Sequence, residues 1–273
     1  MKKESFCIRF LYHTIIGRVL LKVLTMRFVS KMGGAFLNTR FSKVLIGSFV
    51  RKNNINLEEY VCDFKSFNDF FSRKIREGYR PIANEENAFI APSDGYLSAY
   101  KIRDGLVLPV KHSHYSISSL LKNEELTNKY KDGICLVFRL CVNHYHRYCY
   151  VDSGNKGKNV FLSGRLHTVR PIALERYPVF VENAREYTIL HTKNFGDVTQ
   201  VEVGALFVGK IKNHHEEYTF SKGEEKGMFL FGGSTIILLL ESNQVDISKE
   251  YFIKTEKGEE VSVKMGERIG ESK

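Results

Sequence analysis

Phe229-Leu230-Phe231-Gly232-Gly233-Ser234-Thr235-Ile236-Ile237-Leu238-Leu239-Leu240 is the stretch whose reading decides the fold. The runs on either side of the two glycines are short, apolar and partly β-branched, which predicts two buried strands. Gly232-Gly233 permits backbone angles that other residues resist. A link of this kind can hold a peptide bond in an unusual, exposed geometry, with the Ser234 hydroxyl beside it. Taken alone, these residues most often make a tight turn between core strands. The other meaning is a serine that attacks a neighbouring carbonyl once a base removes its proton.

Working outward, the same texture extends back to about residue 88. Short apolar runs alternate with Gly, Asn, Asp and Ser: Ala88–Ala91, Tyr96–Ile102, Leu106–Val110, Ile134–Val142, Val160–Leu162, Tyr187–His191, Val198–Val203 and Leu206–Ile211. This spacing predicts antiparallel strands, in a β-rich sandwich or partly closed barrel. Helical signals within it are few, at Ser116–Lys122 and near Ile172–Arg176. Before it, Phe67, Phe70 and Phe71 have the i, i+3, i+4 spacing of one helical face, and Pro81 stops any helix there. The expected class is α+β, a β-rich core with N-terminal membrane-facing helices. Two regions are expected, a helical membrane-associating region at 1–60 and a β-rich catalytic domain at 61–273.

The N-terminal region is read from charge and hydropathy together. The chain has 273 residues and a formal net charge of +10. Residues 1–60 hold eleven Lys and Arg against three Glu, so most of the excess lies there. A basic surface suits anionic partners. The interleaved residues are aliphatic and aromatic, which favours an anionic membrane surface over nucleic acid. Within residues 5–30 the longest charge-free run, Phe10 to Gly17, is far shorter than the roughly 20 residues needed to cross a bilayer. Lys2-Lys3 before an apolar run resembles a signal peptide, but Arg18, Lys22 and the lack of a small-residue cleavage site argue against one. Residues 1–50 therefore read as two or three interfacial helices, and the expected location is peripheral, on the cytoplasmic face of the cell membrane. A helical cap packed on its own domain is the alternative. Five cysteines without a C-x-x-C pair suit a reducing compartment. Cys149 with His144 and His146 is the one group with any resemblance to zinc ligands. No second cluster completes it, and no metal is expected.

Three groups carry candidate chemistry. Pro92-Ser93-Asp94-Gly95 puts an acid in a turn between strands, a common place for Asp-Gly. Asn143-His144-Tyr145-His146-Arg147 follows the apolar Ile134–Val142 run. In an extended chain His144 and His146 project to one face. Asp94, a histidine and Ser234 are the parts of an acid–base–nucleophile triad, which is defined by geometry and not by chain order. No G-x-S-x-G elbow is present. The hydroxyl follows Gly-Gly and leads into a buried strand, which suits a serine that attacks its own preceding peptide bond. His112 and His114 beside Lys111 repeat the histidine spacing with less to distinguish them, and His214-His215 reads as a surface loop.

From about residue 64 to 241 the chain resembles the phosphatidylserine decarboxylases. Phe67-Asn68-Asp69-Phe70-Phe71-Ser72-Arg73 and Arg80-Pro81-Ile82 look like the family's opening block, and Pro92-Ser93-Asp94-Gly95 like its P-x-D-G. The block led by Lys111, with Tyr115-Ser116 and Leu120-Leu121, is similar to another. Tyr145-His146-Arg147 matches Y-H-R. Val203-Gly204-Ala205 and Val208-Gly209 resemble its late glycine-containing strands. Lys222-Gly223-Glu224-Glu225, then Phe231-Gly232-Gly233-Ser234-Thr235, resembles the cleavage block. The resemblance implies a proenzyme cut between Gly233 and Ser234 into a β chain, 1–233, and an α chain, 234–273. It implies an N-terminal pyruvoyl group derived from Ser234 as the cofactor, and phosphatidylserine as the substrate, converted to phosphatidylethanolamine. Asp94, His146 and Ser234 take the catalytic roles. One departure stands out. Much of the family has a second histidine three residues after the Y-H-R histidine, and here it is Cys149. His146 is the first choice of base, with His144 and His167 in reserve. A serine hydrolase using the same three residues, or a non-catalytic lipid-binding β domain, are the rival readings.

Overall fold

The structure is a computed structural model. It describes residues 6–24, 27–103, 106–110, 113–165, 167, 178–205, 211–230 and 234–273. Gly232-Gly233, Lys111-His112, the helix expected near Ile172–Arg176 and the run 206–210 lie outside the described residues.

The Ser234–Leu240 strand runs near the middle of a nine-stranded antiparallel sheet. It pairs on one side with Ile134–Leu140, from Ser234 opposite Leu140 to Leu240 opposite Ile134. On the other side it pairs with Asp197–Val203, from Thr235 opposite Val203 to Leu240 opposite Val198. All seven of its side chains are buried. A strand covered on both faces reads as a continuous apolar run, not an alternating one, which is why this stretch stood out. Its even residues Ile236, Leu238 and Leu240 join Leu136, Phe138 and Phe89 in one core. That core lies between the large sheet and two three-stranded sheets. One of these is Ala88–Ile90, Arg268–Ser272 and Val245–Ile247, and the other is Ile211–Asn213, Glu225–Phe229 and Arg147–Cys149. The odd residues Ile237 and Leu239 face a second core with Val137, Val201, Leu120 and Phe180. The short helices Ile117–Leu121, Glu125–Lys129 and Val179–Glu182 cover that face. Each fully buried Leu or Ile contributes about 1.5–3 kcal/mol by leaving water, so both faces of this strand add to stability.

The layered, sandwich-like packing agrees with the β-rich expectation. The barrel alternative does not, because the large sheet stays open between its Tyr218–Phe220 and Val261–Val263 edges. The N-terminal region is helical as expected, with Phe6–His13, Ile15–Leu24, Arg27–Leu37 and Val44–Asn53. Among the described residues no helix is long and apolar enough to cross a membrane. Helix Phe67–Phe71 starts at Ser66, whose hydroxyl accepts the Asp69 amide at 3.1 Å and satisfies one otherwise unpaired N–H. Its Phe67, Phe70 and Phe71 form the predicted face. They are buried with Tyr60 and Tyr145 against Phe49 and Val50 of the preceding helix. An ion pair is buried among the described residues: Lys226 Nζ donates to Glu202 Oε1 at 2.6 Å, Gln200 Nε2 also donates to Glu202 Oε1, and Lys226 Nζ also donates to Asn213 Oδ1. Such a pair is tolerated only because its remaining donors and acceptors are met.

Candidate active site

Ser234 opens the central strand. Its side chain has the parity of Ile236 and Leu238 and so belongs to the face between the sheets. Its hydroxyl is buried and has no hydrogen-bond partner among the described residues. Buried hydroxyls are normally bonded, so an orphan needs an explanation. Thr235 Oγ1 and Ser93 Oγ share that condition. Position distinguishes Ser234, because it alone of the three follows the Gly-Gly link.

The histidines sit at the same end of the sheet. The strand paired to Ser234 ends at Leu140, and the chain then turns: His144 N donates to Cys141 O at 2.9 Å, and Cys141 N donates to His144 Nδ1 at 3.1 Å. This turn overturns the expectation that His144 and His146 share one face of an extended segment. Their rings go to different surroundings. The His144 ring lies 5.1 Å from Tyr96, and the His146 ring lies 4.0 Å from Phe71. Their tautomers differ as well. His144 Nδ1 accepts a bond, so in the neutral ring its proton is on Nε2. His146 Nδ1 faces the His144 carbonyl at 3.0 Å and must donate to it, which puts the lone pair of the neutral ring on Nε2. Burial lowers the His144 pKa to about 4, against the pull of Asp94, so that ring is neutral at pH 7. The main chain also ties His146 to the serine: Phe229 N donates to His146 O at 2.9 Å, five residues before Ser234.

Asp94 stands in its turn just before the Gly95–Lys101 strand, but its carboxylate is bonded elsewhere. Arg80 Nε and Nη2 grip its two oxygens at 2.7 and 2.6 Å, and the Met265 amide adds a bond at 3.0 Å. Among the described residues no histidine bonds it. Glu59 shares Arg80 from the other side at 3.0 Å. Asp94 is close enough to His144 to act on it as a charge. His167 arrives from the opposite side of Ser234. It exchanges two backbone bonds with the Asn183 side chain, which also donates to Gly204 O at 2.7 Å, next to the strand paired with Thr235. Burial and Arg165 lower its pKa to about 4.

Cys149, at the position of the missing histidine, is a core thiol. It is fully buried, its sulfur is 4.0 Å from Ala91 O, and burial pushes its pKa up to about 12. A thiol so desolvated is a very poor base near neutral pH. Among the described residues no cluster of three or more His, Cys, Asp or Glu is placed to hold a metal. Reading from sequence missed the work of Arg80, Arg73 and Asn183. The two arginines lie in motif blocks that were noticed but given no role, and Asn183 carried no signal.

The sequence profile of the phosphatidylserine decarboxylase family matches residues 67–271. A phosphatidylserine decarboxylase proenzyme 2 from Clostridium acetobutylicum is 46% identical over 267 residues, covering 97% of this chain and 91% of that one. A phosphatidylserine decarboxylase proenzyme from Clostridium novyi is 44% identical over 271 residues, with 96% and 92% covered. One from Clostridium tetani is 40% identical over 250 residues, with 89% and 84% covered.

Proposed function

The chain belongs to the phosphatidylserine decarboxylase family, and from that premise we propose that it matures by cutting itself between Gly233 and Ser234. It is a lyase that acts on phosphatidylserine. In maturation His146 Nε2 takes the Ser234 proton while Oγ attacks the Gly233 carbonyl, turning the amide into an ester. Loss of a proton from Ser234 Cα and departure of Gly233 as a carboxylate leave dehydroalanine at 234. Water then replaces its nitrogen, releasing ammonia and leaving a pyruvoyl group. The observation that carries this reading is the buried Ser234 hydroxyl, bonded to none of the described residues, at the sheet end that also holds His146. The orphan hydroxyl fits this outcome, since Oγ leaves with the Gly233 carboxylate and Cβ would end as a methyl, a change that loses no hydrogen bond to the described residues. Ser234 and the segment behind it would hold the group, which supplies an electron-accepting carbonyl for decarboxylation. His144 and His146 are the groups placed to manage the proton that replaces carbon dioxide. The seven-residue ladder on one side of Ser234–Leu240 and the ladder on the other support two chains that stay joined after cutting. Purified mature protein should release carbon dioxide from phosphatidylserine and lose that activity on treatment with hydroxylamine, a ketone reagent. Full activity after that treatment would contradict the assignment of the cofactor.

We further propose that residues 1–60 attach the protein to an anionic membrane, at the cytoplasmic face. Phe41 and Val44 support this, being 84% and 80% exposed. Ile15, Ile16 and Phe36 add exposed apolar surface in the same region. Exposed large side chains gathered on basic helices suit insertion at the acyl boundary. Each Lys or Arg near the surface adds about 1 kcal/mol. Replacing Phe41 or Val44 by Asp should weaken binding to anionic vesicles by roughly tenfold each, the value of one inserted side chain. Sedimentation with such vesicles at low and high salt measures it. Unchanged sedimentation of the double variant would refute the attachment site.

A further inference from the structure

The Phe67–Phe71 helix and the two residues after it have no part in the chemistry above, yet they touch the histidine segment at three points. Phe71 packs on the His146 ring. Ser72 O accepts Arg147 Nε at 2.8 Å. Arg73 Nη2 donates to the carbonyls of both Asn143 and His144, at 3.0 Å each. The His144 carbonyl is also the acceptor for His146 Nδ1. A carbonyl oxygen has two lone pairs, and here one goes to the guanidinium and the other to the imidazole.

Arg73 is 2% exposed and has no acidic partner within ion-pair distance among the described residues. Its guanidinium lies 4.2 Å from the centre of the Tyr60 ring, and Nη1 reaches Phe71 O at 3.4 Å. Burying a cation without a carboxylate is costly. The return here is a fixed backbone: one guanidinium nitrogen, on a rigid planar group, holds the two carbonyls of the turn. A carboxylate is the usual partner that fixes a catalytic imidazole. Asp94 is engaged with Arg80, and a main-chain carbonyl takes the carboxylate's place.

We propose that Arg73 is a positioning residue for chain cleavage, holding the His144 carbonyl so that His146 stays protonated on Nδ1 with its lone pair on Nε2. This rests on the reading of His146 as the base. The test uses the full chain with Ser234→Ala, which keeps it uncut, and nitrogen-15-labelled histidine. The His146 signals, identified by their loss in His146→Gln, should show a protonated Nδ1 at about neutral pH. Adding Arg73→Met should give a mixture of tautomers, and in the Ser234 chain it should slow maturation at least tenfold, within the range of general-base effects. Arg73→Lys, which returns a cationic donor, should restore most of the Nδ1-protonated signal. An unchanged tautomer in Arg73→Met, or maturation at the normal rate, overturns the proposal. If Arg73→Met does not fold, Arg73→Gln is read in the same way. Failure of both to fold overturns it too, by making Arg73 a structural residue only. Normal maturation of His146→Ala beside a shifted tautomer in Arg73→Met would sink the base assignment and leave the hold on the ring intact.

Discussion

Ser234→Ala leaves the protein as one uncut, folded chain without decarboxylase activity. The fall in cleavage rate is expected to be on the order of 10⁶, the scale seen when an activated hydroxyl nucleophile is removed. The variant should fold well. The hydroxyl it loses is buried and bonds to none of the described residues, and replacing an unsatisfied polar atom by an apolar one is neutral or stabilising. The uncut variant should therefore match or exceed the wild-type proenzyme in thermal stability. Gel mobility and a melting curve on one preparation check both halves. A Ser234→Ala chain that still yields two pieces would remove Ser234 from the chemistry.

His146→Ala should slow cleavage by about 10²–10⁴, the usual worth of a general base, while Cys149→Ser should cleave at the normal rate. The contrast follows from surroundings. His146 has a defined tautomer and a main-chain tie to the segment before the scissile bond, whereas Cys149 is a core thiol with its pKa pushed up to about 12. Cys149→Ser puts a hydroxyl in an apolar core, where the sulfur's hydrogen-bond acceptor is the distant Ala91 O at 4.0 Å. It should cost about 1–3 kcal/mol of stability instead of maturation. His144→Ala should cleave but decarboxylate slowly. Asp94→Asn should slow cleavage roughly tenfold, since a nearby unit charge is worth about 1–2 kcal/mol to a forming imidazolium. His167 is the rival base, reaching the region of Ser234 through Asn183 and Gly204. Rates of chain cleavage in these variants decide. Normal maturation of His146→Ala with an uncut His167→Ala would move the base to His167.

The central strand was legible because burial on both faces leaves an unbroken apolar run, and the aromatic face of Phe67–Phe71 because its spacing is helical. Residues after 241 were not read. Val261–Val263 is too short to show a period and Arg268–Ser272 is short and charged, and only pairing with Gly95–Lys101 and Ala88–Ile90 makes them strands. The histidine pair was misread because spacing implies a face only if the backbone is extended, and the bond from His144 N to Cys141 O makes it a turn. The Arg80–Asp94 grip joins residues fourteen apart, on either side of the Ala88–Ile90 strand, and neither residue lies in a helix or strand whose periodicity would pair them. Motif resemblance singled out Asp94, His146 and Ser234 as candidates. It did not foretell that a carbonyl, not Asp94, would accept the hydrogen bond from His146 Nδ1.

The mass of the purified wild-type protein tests self-cleavage most directly. Simple hydrolysis of the Gly233–Ser234 bond adds one water, about 18 Da, to the summed masses of the pieces, whereas loss of ammonia on forming a pyruvoyl group leaves a gain of only about 1 Da. The account predicts two pieces, 1–233 and 234–273, summing to the intact chain plus about 1 Da, the smaller one refractory to Edman sequencing. An active decarboxylase that remains a single unbroken chain of 273 residues would contradict it.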